Sequence, residues 1–284
     1  MNGRPNCSRA QEGLQRAKSA RQNCSRGPTR WSHSVDPIAV HRGPCATPGT
    51  EFYSAVFLRN DVYDILLSQT PDRGKDSIAL VDWNQPALMR QMIRKRLMFN
   101  STDKTLSVEH LWHNIAVPVL NGEDTLQFLI SRSMMRPRYL LRLINHCKGS
   151  AINFGRDRID KSDIEVGLST YSTDVVTEIG LEMRDVHPAS EDILYALVGE
   201  MREMKRSKIE ALLSAKFTNP SDLAATITLL FWHGVLGFRR SASEVTYIYD
   251  VNYDLKRLLG VMDKAGVDPM IEVNPALWAG LELS

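Results

Sequence analysis

Apolar residues are sparse over the first 50 positions and then recur with a spacing that changes along the chain. Phe52-Tyr53-Ser54-Ala55-Val56-Phe57-Leu58 is a short apolar run of strand type. After Arg59-Asn60-Asp61, residues Val62, Ile65, Leu66 and Leu67 fall at helical spacing. Asp61 or Asn60 suits the N-cap, where a side-chain oxygen accepts from an unpaired backbone N–H. Ile78-Ala79-Leu80-Val81 predicts a second strand. Pro86 opens a helix over 87–99, because the first turn has no use for the N–H that proline lacks. The pattern to this point is strand, helix, strand, helix.

From 107 to about 185 the spacing is helical, broken at Pro118, at Gly122-Glu123, at Arg136-Pro137 and in the glycine-containing loop before Asp160. Ser162-Asp163-Ile164-Glu165 reads as a capping box opening a long helix through Tyr171-Ser172 toward Met183. Gly167 and Gly180 each weaken that helix by up to about 1 kcal/mol relative to alanine. Past Arg136-Pro137-Arg138, residues Tyr139, Leu140, Leu143, Ile144, Cys147 and Ile152 define another helix, which sets two cations at a helix start. The macrodipole disfavours cations there, so the pair implies a nearby anion, whether a bound ligand or an internal carboxylate, unless solvent alone screens it.

Beyond 187 the pattern predicts a helix near 191–203, a second over 207–215 and a third opened by Asn219-Pro220-Ser221. Two strand-like runs, Val235 to Phe238 and Val245 to Tyr249, are joined by a polar turn from Arg239 to Glu244. Three helices and a hairpin make a winged helix-turn-helix. Asp268-Pro269 through Trp278 reads as a strand, turn and helix remnant. The third helix, Ser221 to His233, holds neither Lys nor Arg, so only Arg239 and Arg240 in the wing could contact a DNA backbone.

Charge changes the picture mainly at the N-terminus. The whole chain of 284 residues carries a formal +2. Residues 1–50 hold 8 Lys and Arg against 2 Asp and Glu, a balance of +6, which leaves 27 against 31 for the rest. Rich in Arg, Ser, Gly, Pro and Asn, this segment is expected to be a disordered basic tail, or a shifted reading of upstream coding sequence. Cys7, Cys24, Cys45 and Cys147 fit neither a disulfide framework nor metal-ligand spacing, and His110 and His113 lack a third ligand nearby. No run reaches the roughly 18 apolar residues of a membrane span, and the basic N-terminus has no apolar segment of a secretory signal. A cytoplasmic protein is expected.

The ordered pieces Val56-Phe57-Leu58-Arg59-Asn60-Asp61, Val81-Asp82-Trp83, Arg136-Pro137-Arg138, Ile159 to Ile164 leading to Tyr171-Ser172, and Asn274-Pro275-Ala276 resemble the C-terminal part of bacterial P-loop ATPases of the STAND/AAA-like class, over about residues 54–284. The resemblance implies a mainly α fold: a two-strand remnant of an α/β ATPase core at 51–100, a helical lid at 101–186 and a winged-helix domain at 187–284. It implies that Arg59, Asn60 and Asp61 correspond to sensor 1 and that Arg136 and Arg138 correspond to lid arginines of sensor-2 type, which meet nucleotide phosphate. ATP and Mg²⁺ are the cofactors of that class. Gly167 stands where the class usually has alanine, and Asn274 where it usually has histidine.

The Gly-x-x-x-x-Gly-Lys-Ser/Thr phosphate loop and an acidic Walker B strand are absent from the sequence. The chain alone is therefore expected to hold no cofactor and to hydrolyse no ATP, and its partner is expected to be a protein, the missing core foremost. The alternative is a non-enzymatic winged-helix module binding protein or DNA. The resemblance also implies that the two early strands each pair with the missing phosphate-loop strand, so that in this chain they flank a gap and expose unpaired edges.

Overall fold

The computed structural model describes residues 82–99, 101 and 103–284, together with the backbone of strands β1 (Ile38–Pro44), β2 (Glu51–Phe57) and β3 (Ile78–Ala79). Two compact units divide at Asp82/Trp83.

In the first unit the strands form one antiparallel sheet in the order β2-β1-β3. β1 runs against β2 from Ile38 opposite Phe57 to Pro44 opposite Glu51, and its start pairs with β3, Ile38 opposite Ala79. β2 and β3 were expected and do flank something, but a strand from this chain's own N-terminal segment lies between them. The expectation of a tail without structure through residue 50 fails at Ile38-Ala39-Val40, three residues with little polar character that suit a strand. The helix expected after Asp61 lies outside the described residues.

The second unit is mainly helical. α1 (Pro86–Phe99) starts at the expected proline and buries Met89 and Ile93. It packs on α2 (Val108–His113), whose N-cap Ser107 accepts from the His110 backbone. The expected breaks at 118 and 122 become a hairpin of β4 (Val119–Leu120) and β5 (Glu123–Asp124), with Asn121 and Gly122 left-handed at φ 52° and 85°. Asp124 then caps α3 (Thr125–Ser131). The antiparallel pair α4 (Pro137–Asn153) and α5 (Lys161–Val186) forms the centre of the core. α5 does begin with a capping box, two residues earlier than expected: Asp160 accepts from the Asp163 backbone while the Asp163 side chain accepts from that of Asp160. Ser162 instead donates to Asp160 at 2.7 Å.

The C-terminal part departs from the expected three helices at the first. Short 3-10 turns at Pro188–Ser190 and Ile193–Leu197, then strand β6 (Glu203–Lys205), replace the helix near 191–203. Its apolar residues Ile193, Leu194 and Leu197 are buried by packing in a single short stretch, without the long repeat that would sustain a helix. α6 (Arg206–Ser214), α7 (Pro220–Trp232) and β7 (Leu236–Arg239) follow close to their expected places, but β8 keeps only Val245–Thr246 of the strand expected through Tyr249, and Ile248–Val251 forms a 3-10 turn instead. A helix not anticipated, α8 (Leu255–Lys264), precedes β9 (Met270–Val273), and the sheet order is β6-β9-β7-β8. After β9 the chain folds back on α5: the Gly280 backbone N–H donates to Ser172 Oγ at 2.7 Å, and Leu277 and Leu281 are fully buried.

Candidate functional site

Met134 and Met135 enter α4 in the left-handed conformation, both at φ 52°, which costs a non-glycine residue about 1–2 kcal/mol. This strained turn presents Arg136 as the N-cap, with Pro137 at the first helical position. Arg136 is about three-quarters buried, at 26% side-chain exposure. Its Nη1 donates to the Tyr139 hydroxyl at 2.9 Å and lies 3.6 Å from a Glu182 carboxylate oxygen on α5. Burial alone would lower the guanidinium's pKa, but Tyr139, Glu182 and Tyr253 outweigh it and hold it above its ordinary value.

Glu182 also lies 3.2 Å from Nδ1 of buried His233, the C-cap residue of α7. The Arg136 node therefore joins three elements, α4, α5 and the end of α7, through charged and polar groups. Lower on the same face, Arg138 pairs with Glu178, which also accepts from Arg142 at 2.6 Å, and His146 lies 2.9 Å from Asp174. Carboxylates at 174, 178 and 182, one helical turn apart on α5, thus face a ladder of cations on α4. The anion implied by two arginines at a helix start is present inside the fold. Tyr171 and Ser172 are structural here: the Tyr171 hydroxyl donates to the Arg132 carbonyl at 2.8 Å, and Ser172 receives the C-terminal strap.

Of the other sequence candidates, Arg59, Asn60 and Asp61 lie outside the described residues. Arg239 does not project as a DNA contact. Its guanidinium, at 17% exposure, pairs with Glu203 at 2.6 Å and with buried Glu272, and donates to the Ala242 carbonyl at 2.7 Å. Glu272 in turn accepts from the Tyr247 hydroxyl at 3.0 Å. A cation beside two carboxylates keeps them, so Arg239 is withdrawn from any phosphate. Arg240 remains exposed, 3.7 Å from Glu244. Asn274 is fully buried, its amide donating to the Gly234 carbonyl and the Tyr249 hydroxyl while its oxygen accepts from the Ala276 backbone.

The sequence reading missed Glu178, Glu182, His233 and Tyr253. The carboxylates had a signal, their i, i+4 spacing on the helix paired with α4; His233 and Tyr253 had none, since tertiary packing alone brings them in. Among the described residues no group of three or more His, Cys, Asp or Glu side chains is placed to hold a metal ion, and no helix is long and apolar enough to cross a membrane.

Comparison with known proteins gives two similarities. Residues 87–180, from α1 to most of α5, match the family model of the FunZ-associated C-terminal helical domain. Over 250 residues the chain is 24% identical to a protein of Escherichia coli (strain K12) described as an 80.3 kDa protein of transposon gamma-delta, covering 81% of this chain and 34% of that one. The chain thus spans about a third of this relative's length. No solved structure matches.

Proposed function

We propose that the chain supplies the helical lid and C-terminal interaction part of a P-loop ATPase of the STAND/AAA-like class, and that it responds to nucleotide only when an ATPase core is supplied from elsewhere. One observation supports this reading: Arg136, three-quarters buried behind a strained turn at the junction of α4, α5 and α7, hydrogen-bonds the Tyr139 hydroxyl and faces a carboxylate at 3.6 Å whose place an incoming phosphate could take. Arginine binds phosphate oxygens more tightly than a loosely placed carboxylate because its planar fork engages two at once. Exchange of Glu182 for phosphate would leave Glu182 to His233 and unlink the start of α4 from the α5/α7 junction. Arg138, already shared with exposed solvent, would follow the same phosphate.

On this reading the chain holds no nucleotide by itself: Arg136 and Arg138 each face a carboxylate, and the sequence has no phosphate loop. ATP and Mg²⁺ would be held by the core, and the partner of this cytoplasmic chain is that core. The part of the Escherichia coli relative outside the matched region serves as the trial core. Mixed with this chain, it should give a complex on size-exclusion chromatography that depends on nucleotide, while the chain alone turns over no ATP. Turnover by the chain alone, or no complex under any nucleotide, would overturn the reading.

The alternative of a winged-helix DNA module acting through its wing loses support from the inward commitment of Arg239. A protein-binding role for α6, α7 and the hairpin is compatible with the lid reading.

A further inference from the structure

A groove of about 600 Å³ lies against α1, α4 from Leu141 onward and the loop that follows it, and Arg136 is not among its lining residues. Ile93, Leu97, Trp112, Leu141, Ile144 and Ile159 give it an apolar lining, and Arg96, Lys148, Arg156 and Arg158 line it as well, against one carboxylate, Asp157. Two of the cations are fixed in place: Arg158 donates to the carbonyls of His113 and Ala116 at 2.7 and 2.8 Å, and Arg156 pairs with Asp160. Arg96 and Lys148 are exposed and have no carboxylate within ion-pair distance among the described residues. α1 as a whole carries Arg90, Arg94, Lys95 and Arg96 and no carboxylate.

The segments that form this groove also expose aromatic surface. Phe154, 68% exposed, sits in the chain between lining residues Ile152 and Arg156, with the Arg156 guanidinium 4.9 Å above its ring, and Phe99 at the end of α1 is 85% exposed. The indole N–H of Trp112 is buried without a hydrogen-bond partner among the described residues. Phe99 and Phe154 thus expose phenyl surface on the same segments that carry Arg96 and Lys148. One kind of ligand complements both features, a polyanion that also offers flat apolar faces. Duplex nucleic acid hides those faces in its own stack, whereas a single strand presents them.

We propose that this groove binds single-stranded nucleic acid, with bases stacked on Phe154 and Phe99 and phosphates drawn to Arg96, Lys148 and Arg158. The site is separate from the Arg136 node and does not depend on the ATPase reading.

Fluorescence anisotropy with a labelled oligothymidylate of about 15 nucleotides, near the upper end of comparable site sizes, tests it on the full chain. Binding should weaken with salt at a slope of about −2, as roughly three phosphate contacts require at about −0.7 each. Arg96→Glu with Lys148→Glu should weaken it at least 10-fold with circular dichroism unchanged, and Phe154→Ala by several-fold. Lys256→Glu with Lys264→Glu, the same charge change on α8, should leave it within about 2-fold. Absent binding, equal loss in the α8 control, a duplex bound as tightly as the single strand, or displacement of the oligonucleotide by an equal concentration of ATP would each overturn the proposal.

Discussion

Gly167 and Gly180 lie on one helix and look alike in the sequence, yet the fold treats them differently. A Cβ at Gly167 would lie 2.6 Å from Cys147 Sγ and 2.7 Å from the Cys147 backbone nitrogen, because α4 and α5 approach each other there; a Cβ at Gly180 would meet nothing within 4 Å. Backbone cannot yield as a flexible side chain can, so Gly167→Ala should destabilise by about 1–3 kcal/mol. Gly180→Ala should stabilise by up to about 1 kcal/mol, the ordinary helix-propensity gain. Urea denaturation of both variants checks the pair; equal effects of one sign would contradict the close approach. Asn274 is a similar case, since its burial among three hydrogen bonds could not be inferred from the dipeptide Asn274-Pro275. Sequence patterns gave the helix for these residues but could not tell which face touches a neighbour's backbone.

At the scale of elements, the two arginines that frame Pro137 separate. Arg138 is 71% exposed, and its pair with Glu178 is of the surface kind that contributes about 0–1 kcal/mol. Arg136 has the Tyr139 hydroxyl, Glu182 and Tyr253 around it in a far less exposed place. Arg138→Ala should therefore cost under about 1 kcal/mol, and Arg136→Ala about 2 kcal/mol, the scale of a charged hydrogen bond lost from a partly buried site. Denaturant melts of both single variants and of Arg136→Ala combined with Glu182→Gln measure this; a cycle with no coupling would remove the node.

The start of α5 adds a pH dependence. Hydrogen bonds from Ser162 and the Asp163 backbone hold the Asp160 carboxyl below its usual range. A depressed carboxylate stabilises the fold above its unfolded pKa of about 4, and that contribution is lost as pH falls through the folded value. Asp160→Asn, which keeps a capping oxygen, should show a shallower loss of stability on the acid side of pH 4 than the wild type. Helix starts were legible at Pro86, Ser107 and Pro220, but not at Asp254, which caps α8. The 191–203 segment was not legible either, because its apolar residues are fixed by contacts with distant parts of the chain.

For the whole molecule, the largest difference from expectation is β1. A sheet missing a central strand was anticipated between β2 and β3, and the N-terminal segment provides one, antiparallel to both. Composition dominated by Arg, Ser and Pro masked the short Ile38-Ala39-Val40 run within it. The C-terminal strap returning to Ser172 was equally hidden, since a serine in mid-helix carries no signal of the glycine that meets it from residue 280. The helical content, α4 and α5 as separate helices, and the succession of α6, α7 and hairpin were legible from periodicity, whereas the packing of α4 on α5 was not.

In the proposed lid role, Arg136 would exchange Glu182 for nucleotide phosphate when a core is present. The most direct measurement is the affinity of this chain for the remainder of the Escherichia coli relative, titrated with a non-hydrolysable ATP analogue and with ADP. Binding should be at least 10-fold tighter with the ATP analogue, and Arg136→Ala should lose that difference with the ADP-state affinity preserved. An affinity that is the same in both nucleotides, or a nucleotide dependence that survives Arg136→Ala, would contradict it.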